Sequence, residues 1–417
     1  MKRRIFVLLI LILSISLSVT IFSPLLYNRD DFVSKLDRLI PQLMERYRVP
    51  GTAASLVRNG EVVWSEGYGL ADRDRGIPVT ADTVFQVGSI SKAVTSWGVM
   101  RLVENGQLEL DAPVEQYLTR WHLPPSNYDA SGVTIRRLLS HSAGLSVEGY
   151  PGLRPDIQLP SLEESLSGNN GGAGEVRIIM EPGAQFSYSG GGFTLLQLII
   201  EEVTGETFSA YMQHEVLDPL GMVHSSFEWR DDLRPATAVA YSENGTRLPN
   251  YLFTEKAAAG LYTTASDLAR FVAAEMPGHN GEPAGRGVLS QDTLALMFTS
   301  AIEIQANLLF KTAQGLGQEI QTLPDGSKLI QHGGSNRGWK AIIMANPEEA
   351  LGIVVITNSD NGRSLYLDVM TEYVIPIYIE MTIRILIPIL TLGIAICAIF
   401  FIKGLISSRK MKDSSSR

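Results

Sequence analysis

Residues 85–92 read FQVGSISK, and the backbone pattern changes within this segment. An extended run over residues 83–87 gives way to a helical pattern over residues 92–104. A serine at the start of a helix meets unpaired backbone N–H groups and the positive end of the helix dipole, which favour a developing oxyanion. Lys92 follows Ser89 by three residues, so its amine lies on the same helical face and can reach the hydroxyl. The segment therefore predicts a nucleophile at Ser89 with Lys92 as its base.

The Ser-x-x-Lys spacing is short and is a weak signal by itself. It occurs a second time near the C-terminus, at Ser407 and Lys410. Only Ser89 lies where a predicted strand meets a predicted helix, so position favours the first occurrence.

The sequence around this segment predicts strands at both ends of the chain and helices between them. Residues 52–58 and 61–68 are β-prone runs joined by Asn59-Gly60, which is a strong hairpin signal because both turn positions require positive φ. Further strands are predicted at 328–331, 339–345 and 351–357, and helices at 31–48, 92–104, 134–139, 194–203 and 265–274. We predict a two-lobed α+β fold, with one antiparallel β-sheet flanked by helices and an inserted, mostly helical lobe.

Two later motifs carry side chains suited to catalysis or substrate binding. The first is Tyr188-Ser189-Gly190, where a tyrosine near a lysine can relay a proton. The second is the run His332-Gly333-Gly334-Ser335, which follows a predicted strand and whose small residues let a substrate lie against the strand edge. Each motif alone is more typical of a structural role than of a site.

In this order, Ser-x-x-Lys, Tyr-x-x and His-Gly-Gly resemble the motif set of the serine β-lactamase and penicillin-binding-protein superfamily. The resemblance is closest to the class C β-lactamase-like branch, peptidase family S12, and covers residues 43–359. Further family-like stretches are LLSHSAGL at 138–145, PLGM at 219–222 and AAGLYTTASDL at 258–268.

The resemblance implies a β-lactamase/transpeptidase-like fold and assigns roles to the matching residues. Ser89 would attack the acyl carbon, and Lys92 and Tyr188 would accept and return the proton. The backbone N–H groups of Ser89 and Ser335 would form the oxyanion hole. The substrate would lie along the run from His332 to Ser335. No cofactor or metal is implied, and the remaining histidines lack metal-binding spacing.

Two positions depart from the family pattern. Gly190 stands where the family has an asparagine that contacts the lysine and the substrate carbonyl. Loss of one such hydrogen bond costs roughly 1.5–3 kcal/mol, which disfavours efficient β-lactam hydrolysis. His332 stands where the family most often has lysine, and a neutral histidine would hold a substrate carboxylate less firmly.

Both ends of the chain carry long uncharged runs. Residues 5–28 follow three basic residues and are long enough to span a bilayer, so we predict that residues 1–28 form an anchor, with a cleaved signal peptide as the alternative. Residues 385–402 form a second predicted transmembrane helix, followed by a basic tail, 403–417. Basic residues at both outer ends predict cytoplasmic termini, with a hydrolase domain at 29–373 outside a bacterial-type cell membrane.

The charge of the chain limits its partners. The net charge is −9, and eight of the 35 basic residues but only one of the 44 acidic residues lie in the two ends, which leaves the central portion at −16. This charge argues against nucleic acid or anionic lipid as a partner of the central portion. The single cysteine, Cys397, lies in the second apolar run, so the central portion has no disulfide framework. We predict a membrane-anchored serine hydrolase, first a D,D-carboxypeptidase or D-amino-acid peptidase acting on a D-amino-acid-containing peptide, and next an esterase acting on a small ester. A β-lactamase, or a penicillin-binding sensor without turnover, is the alternative.

Overall fold

A computed structural model of the chain describes residues 30–306 and 311–414. The chain forms two compact units, of which one is Leu39–Leu367 and the other includes the described residues 30–38 and 368–414. The α-helices are α1 (Asp30–Tyr47), α2 (Ile90–Glu104), α3 (Ile135–Leu139), α4 (Leu162–Leu166), α5 (Gly190–Thr204), α6 (Phe208–Met212), α7 (Lys256–Ala259), α8 (Ala265–Ala274), α9 (Gln291–Met297) and α10 (Gly362–Ser414).

Eleven strands are formed by the described residues. They are β1 (Gly51–Arg58), β2 (Glu61–Asp72), β3 (Ile77–Pro78), β4 (Phe85–Gln86), β5 (Tyr262–Thr263), β6 (Ile302–Ala306), β7 (Lys311–Gln314), β8 (Glu319–Thr322), β9 (Lys328–Asn336), β10 (Trp339–Asn346) and β11 (Leu351–Thr357). Short 3-10 segments occur at Val114–Tyr117, Ala130–Gly132 and Arg234–Ala236, and a π-helical segment at Gln213–Leu217.

The predicted hairpin at the start of the sheet is confirmed. Asn59 and Gly60 have φ of 53° and 67°, so both adopt the left-handed conformation that a type I′ turn requires. The strands on either side pair antiparallel, with Arg58 opposite Glu61.

Nine of the strands form one antiparallel sheet in the order β3-β2-β1-β11-β10-β9-β8-β7-β6. β1, near the start of this unit, pairs with β11, near its end, with Thr52 opposite Thr357. Nearly every residue of β1, β10 and β11 is buried, which is typical of central strands that are covered on both faces. The α+β fold with an antiparallel sheet and helices is therefore confirmed.

Helix α2 runs through the interior of this unit and sets the position of Ser89. Twelve of its residues are buried, and its apolar side chains face all directions, as expected for a fully enclosed helix. Trp97 is completely buried, with its ring 5.1 Å from that of Phe271 on α8. Because α2 is packed on all sides, the residue at its N-terminus is held in a fixed place.

The structure corrects the sequence prediction at the end of the sheet. β9 does not stop at residue 331 but continues to Asn336, so the run from His332 to Ser335 lies within the strand. Strands β6, β7 and β8 were not predicted. β6 is largely exposed and β7 and β8 have four residues each, so none shows a clear alternation of apolar and polar residues.

The second unit contains the start of α1 and most of α10. Within it, the rings of Phe32 and Tyr373 lie 5.9 Å apart, and Lys35 forms an ion pair with Glu372. In the part of the chain that the structure describes, no helix combines the length and apolarity needed to cross a membrane, so the span predicted at 385–402 is not supported. The anchor predicted at residues 1–28 lies outside the described residues, as do many side chains of 385–402.

Candidate active site

Ser89 lies at the N-terminus of α2, as the sequence predicts. Its hydroxyl does not cap the helix. Instead, the Nζ of Lys92 donates to the Ser89 Oγ over 3.1 Å. The hydroxyl is therefore held against a nitrogen that can accept its proton once the amine is neutral.

The backbone of α7 fixes the other side of Lys92. The lysine is 2% exposed, and its Nζ also donates to the carbonyl oxygen of Ala258 over 2.7 Å. The adjoining segment is bound to α2 as well, because the Leu261 N–H donates to the Ser91 hydroxyl over 2.9 Å. These contacts hold the amine in one place with few alternative positions.

Strand β9 passes directly against the turn that precedes Ser89. Gly88 has a φ of +51°, and a Cβ at this position would lie 2.6 Å from the backbone nitrogen of Ser335. A Cβ on Gly334 would lie 1.9 Å from the Val87 carbonyl oxygen. Only glycines allow this approach, which brings the Ser335 backbone beside the backbone of Ser89. The two backbone N–H groups predicted to form an oxyanion hole are therefore brought to one place.

A buried amide pair connects β9 to the nucleophile turn, and the sequence analysis missed it. The Asn336 side chain donates to the Gln86 Oε1 over 2.8 Å and to the Ala259 carbonyl over 3.1 Å. Gln86 in turn donates to the Tyr262 hydroxyl over 2.9 Å. Gln86 belongs to the FQVGSISK segment, and its place beside the nucleophile is the one sequence signal for this role.

Tyr188 lies beside Lys92, as predicted. The Nζ of Lys92 is 5.1 Å from the centroid of the Tyr188 ring. Among the described residues, no hydrogen bond joins the Tyr188 hydroxyl to Ser89 or Lys92. Catalytic hydrogen bonds often form only when substrate is bound, so Tyr188 stays a candidate for the proton relay.

His141 supports Tyr188 from behind. The two rings lie 4.2 Å apart and are tilted by 33°. The Ser189 N–H donates to the His141 Nδ1 over 3.1 Å, so the proton of the neutral ring is on Nε2. Burial, the Lys92 ammonium and His332 hold the pKa of His141 well below its usual value. The ring therefore packs as a neutral group against Tyr188.

His332 lies in β9 and lines the cleft, but it does not act as a cation there. Its Nδ1 donates to the Gly333 carbonyl over 2.8 Å, which leaves Nε2 as an acceptor. Burial and the nearby Lys92 ammonium lower the pKa of His332 to about 4. At neutral pH this position therefore offers a hydrogen-bond acceptor where a lysine would offer a positive charge.

Gly190 is covered by a loop from elsewhere in the chain. The Gly190 N–H donates to the Glu148 carbonyl over 3.0 Å, and a Cβ on Gly190 would lie 3.0 Å from that oxygen. It would also lie 3.3 Å from the Tyr150 ring. The loop thus occupies the space at the root of the asparagine side chain that the resemblance implies at this position.

The candidate residues other than the buried Lys92 line one cleft of about 540 Å³. The cleft contains Ser89, Tyr188 and the whole run from His332 to Ser335. The other lining residues are Glu148, Phe186, Gln314, Glu319, Gln331, Lys340, Ile342, Arg363, Tyr366 and Leu367.

Comparison with known proteins agrees with this geometry. Residues 36–368 match the family described as Beta-lactamase. Protein flp of Staphylococcus aureus (strain MRSA252) is 26% identical over 342 residues, which are 79% of this chain and 63% of that protein. This chain thus spans somewhat less than two thirds of the length of that relative.

Two solved structures extend the comparison. The octameric penicillin-binding protein homologue from Pyrococcus abyssi has a TM-score of 0.70 and 28% identity, and the match covers 82% of this chain and 77% of that one. The structure of SurE with D-Leu has a TM-score of 0.62 and 25% identity, with coverage of 81% and 74%.

The fold and the family match define a protein with the penicillin-binding/β-lactamase fold. The chain belongs to the β-lactamase family of serine hydrolases and penicillin-binding proteins.

Proposed function

We propose that this protein is a serine hydrolase that acts through an acyl-serine intermediate. With its amine neutral, Lys92 takes the hydroxyl proton as Ser89 attacks the carbonyl carbon of the substrate. Tyr188 passes its proton to the leaving group and regains one from the Lys92 ammonium. The N–H groups of Ser89 and Ser335 stabilise the oxyanion. Water then attacks the acyl carbon, which releases the acid and restores the Ser89 hydroxyl.

One observation carries this proposal, namely the 3.1 Å hydrogen bond between the Lys92 Nζ and the Ser89 Oγ at the start of a buried helix. A lysine buried only for stability would not need to contact a serine hydroxyl at the mouth of a cleft. The approach of β9 to the turn before Ser89 supports the oxyanion hole in the same place.

The substrate we propose is a short D-amino-acid-containing peptide or a small ester. SurE, a solved relative, was crystallised with D-Leu, which supports a D-amino acid in the substrate. The neutral His332 and the covered Gly190 argue against β-lactamase activity, because neither provides the cation or the amide that the family pattern supplies. We propose a location at the outer face of a bacterial-type membrane from the sequence of the chain ends alone.

The test is intact mass spectrometry and turnover assays on the full-length protein and its Ser89→Ala variant. Each is exposed to benzylpenicillin, an N-acylated D-Ala-D-Ala peptide and p-nitrophenyl acetate. We expect turnover of the peptide or the ester in the wild type and none in the variant. A stable acyl adduct without turnover would instead support a penicillin-binding sensor. Absence of both adduct and turnover with all three compounds would contradict the assignment of Ser89.

A further inference from the structure

One charged group in the cleft has no role in the chemistry above. Glu148 is exposed and lines the same cleft as Ser89. In the part of the chain that the structure describes, its carboxylate forms no ion pair and accepts no hydrogen bond. An unpaired carboxylate beside an acyl-transfer site is available to a substrate.

The loop that carries Glu148 is held firmly over the start of α5. The Gly190 N–H donates to the Glu148 carbonyl and the Gly191 N–H to the Val147 carbonyl, each over 3.0 Å. The Ser189 hydroxyl donates to the Ser146 carbonyl over 2.7 Å. These three bonds, from consecutive residues of one segment, fix the backbone on which Glu148 sits.

Backbone strain in this loop also indicates that the position of Glu148 is fixed. Val147 has a φ of 65°, which is an outlier for a β-branched residue and is energetically unfavourable. Such strain persists only where surrounding contacts enforce it, and it concentrates at functional sites. Here it places the next residue, Glu148, on the wall of the cleft.

Among the described residues, no other charged side chain on the cleft wall pairs with Glu148. Arg363 lines the cleft and is exposed, and it forms no ion pair with this carboxylate. Lys340 lies within reach of the cleft, but its Nζ is paired with Asp360 over 2.7 Å. Glu319 is the other carboxylate on the wall, and it accepts a hydrogen bond from the Gln331 side chain over 2.6 Å. At the start of α5, the N–H groups of Gly190 and Gly191 donate to loop carbonyls and that of Gly192 donates to the Ser189 hydroxyl, so they do not attract an anion to this end.

From these observations we infer that Glu148 selects substrates with a cationic group in the acyl portion, such as the free ammonium of an N-terminal D-amino acid. This inference rests on the proposed acyl-serine function and narrows its substrate class. An ammonium near Glu148 gains a charge-assisted hydrogen bond, which is stronger than a bond between neutral groups. An acyl group with a blocked amine leaves the carboxylate without a partner.

The test compares D-alanine methyl ester with N-acetyl-D-alanine methyl ester. Neither ester has a free carboxylate, so the exposed Arg363 does not affect the comparison. The quantity measured is the ratio of kcat/KM for the free amine to that for the acetylated amine, at pH 7 and low salt. Taking this ratio in the wild type and in Glu148→Gln cancels the different intrinsic reactivities of the two esters.

We expect the ratio to fall about three- to fivefold in Glu148→Gln, because one exposed charge contact is lost. Glu319→Gln removes the same charge from the same cleft, and we expect it to change the ratio less than twofold. The wild-type preference should also weaken in 0.5 M NaCl, since salt screens exposed charges, and above about pH 8, where the α-amine loses its proton.

Several outcomes separate this inference from the proposed function. Ser89-dependent hydrolysis of p-nitrophenyl acetate tests the acyl-serine mechanism without any charge on the acyl group. If that hydrolysis occurs but neither methyl ester reacts, or the ratio is the same in wild type and Glu148→Gln, the role of Glu148 is wrong. An equal drop of the ratio in Glu319→Gln would also overturn it. If p-nitrophenyl acetate itself is not hydrolysed, the proposed function is the part that fails.

Discussion

The contact between β9 and the nucleophile turn gives a sharp prediction for Gly334→Ala. A Cβ on Gly334 would lie 1.9 Å from the Val87 carbonyl oxygen, and real Cβ contacts are essentially never shorter than 3.0 Å. The strand must therefore retreat from the turn by roughly 1 Å, a displacement that can cost about 10²-fold in rate.

The retreat would move the Ser335 N–H away from the oxyanion. Removal of one oxyanion-hole donor costs about 10²–10³-fold in kcat, or roughly 2.7–4 kcal/mol. We expect Gly334→Ala to lose activity in that range on p-nitrophenyl acetate, with a smaller change in KM.

The neighbouring glycine provides a matched control. A Cβ on Gly333 would meet only the Ile342 Cδ1 at 3.9 Å and the Tyr366 hydroxyl at 4.0 Å, which are ordinary contacts. The fold-decrease in kcat should therefore be less than one tenth as large in Gly333→Ala as in Gly334→Ala. Thermal denaturation of both variants shows whether each is folded at the assay temperature. Near-normal kcat in a folded Gly334→Ala, or an equal loss in Gly333→Ala, would refute the argument.

Two further predictions concern buried titratable groups. Burial raises the pKa of Glu275 to about 8 from 4.5, so the folded protein keeps a proton that the unfolded chain loses. The contribution of the protonated Glu275 to the free energy of unfolding is fully present below pH 4.5. It falls as the pH rises to about 8, by at most ~1.4 kcal/mol per pH unit. Urea denaturation at pH 5, 6.5 and 8 should show this slope, and Glu275→Gln should flatten it; an unchanged slope would contradict the buried protonated state. His141→Asn keeps a residue that tolerates positive φ but removes the ring that packs behind Tyr188. We expect kcat to fall about tenfold with little change in KM. If His141 has a purely structural role, the substitution would instead lower the melting temperature and leave kcat intact.

Local signals in the sequence were enough to predict much of the fold. The hairpin at Asn59-Gly60 was predicted because two residues with positive φ allow few other turns. The helix after Ser89 was predicted from its apolar run, and its observed start at Ile90 places Ser89 at the N-terminus as expected. The buried strands β1, β10 and β11 were predicted from their apolar runs, whereas the exposed strand β6 has no apolar pattern to detect.

The parts of the site that could not be predicted depend on residues far apart in the chain. The pair of Gln86 and Asn336 is separated by 250 residues, and neither amide has a local feature that identifies its partner. The position of Glu148 depends on the hydrogen bond between its carbonyl and the N–H of Gly190, a residue distant in sequence. Propensity and periodicity act over a few residues, so they carry no information on these contacts.

The two departures from the family pattern change the electrostatics of the cleft in the same direction. At position 332 a neutral histidine replaces a cation, since burial and the Lys92 ammonium keep its pKa near 4. At position 190 a glycine replaces a neutral amide and makes room for the loop that brings the Glu148 carboxylate to the wall. The first change removes attraction for a substrate anion, and the second adds repulsion of an anion and attraction of a cation. Because specificity is a difference between affinities, the two changes together disfavour acyl donors with a carboxylate more than either would alone. We therefore expect Glu148→Gln to improve activity on anionic acyl donors while it weakens activity on cationic ones, a reversal in sign that loss of packing in the loop would not produce.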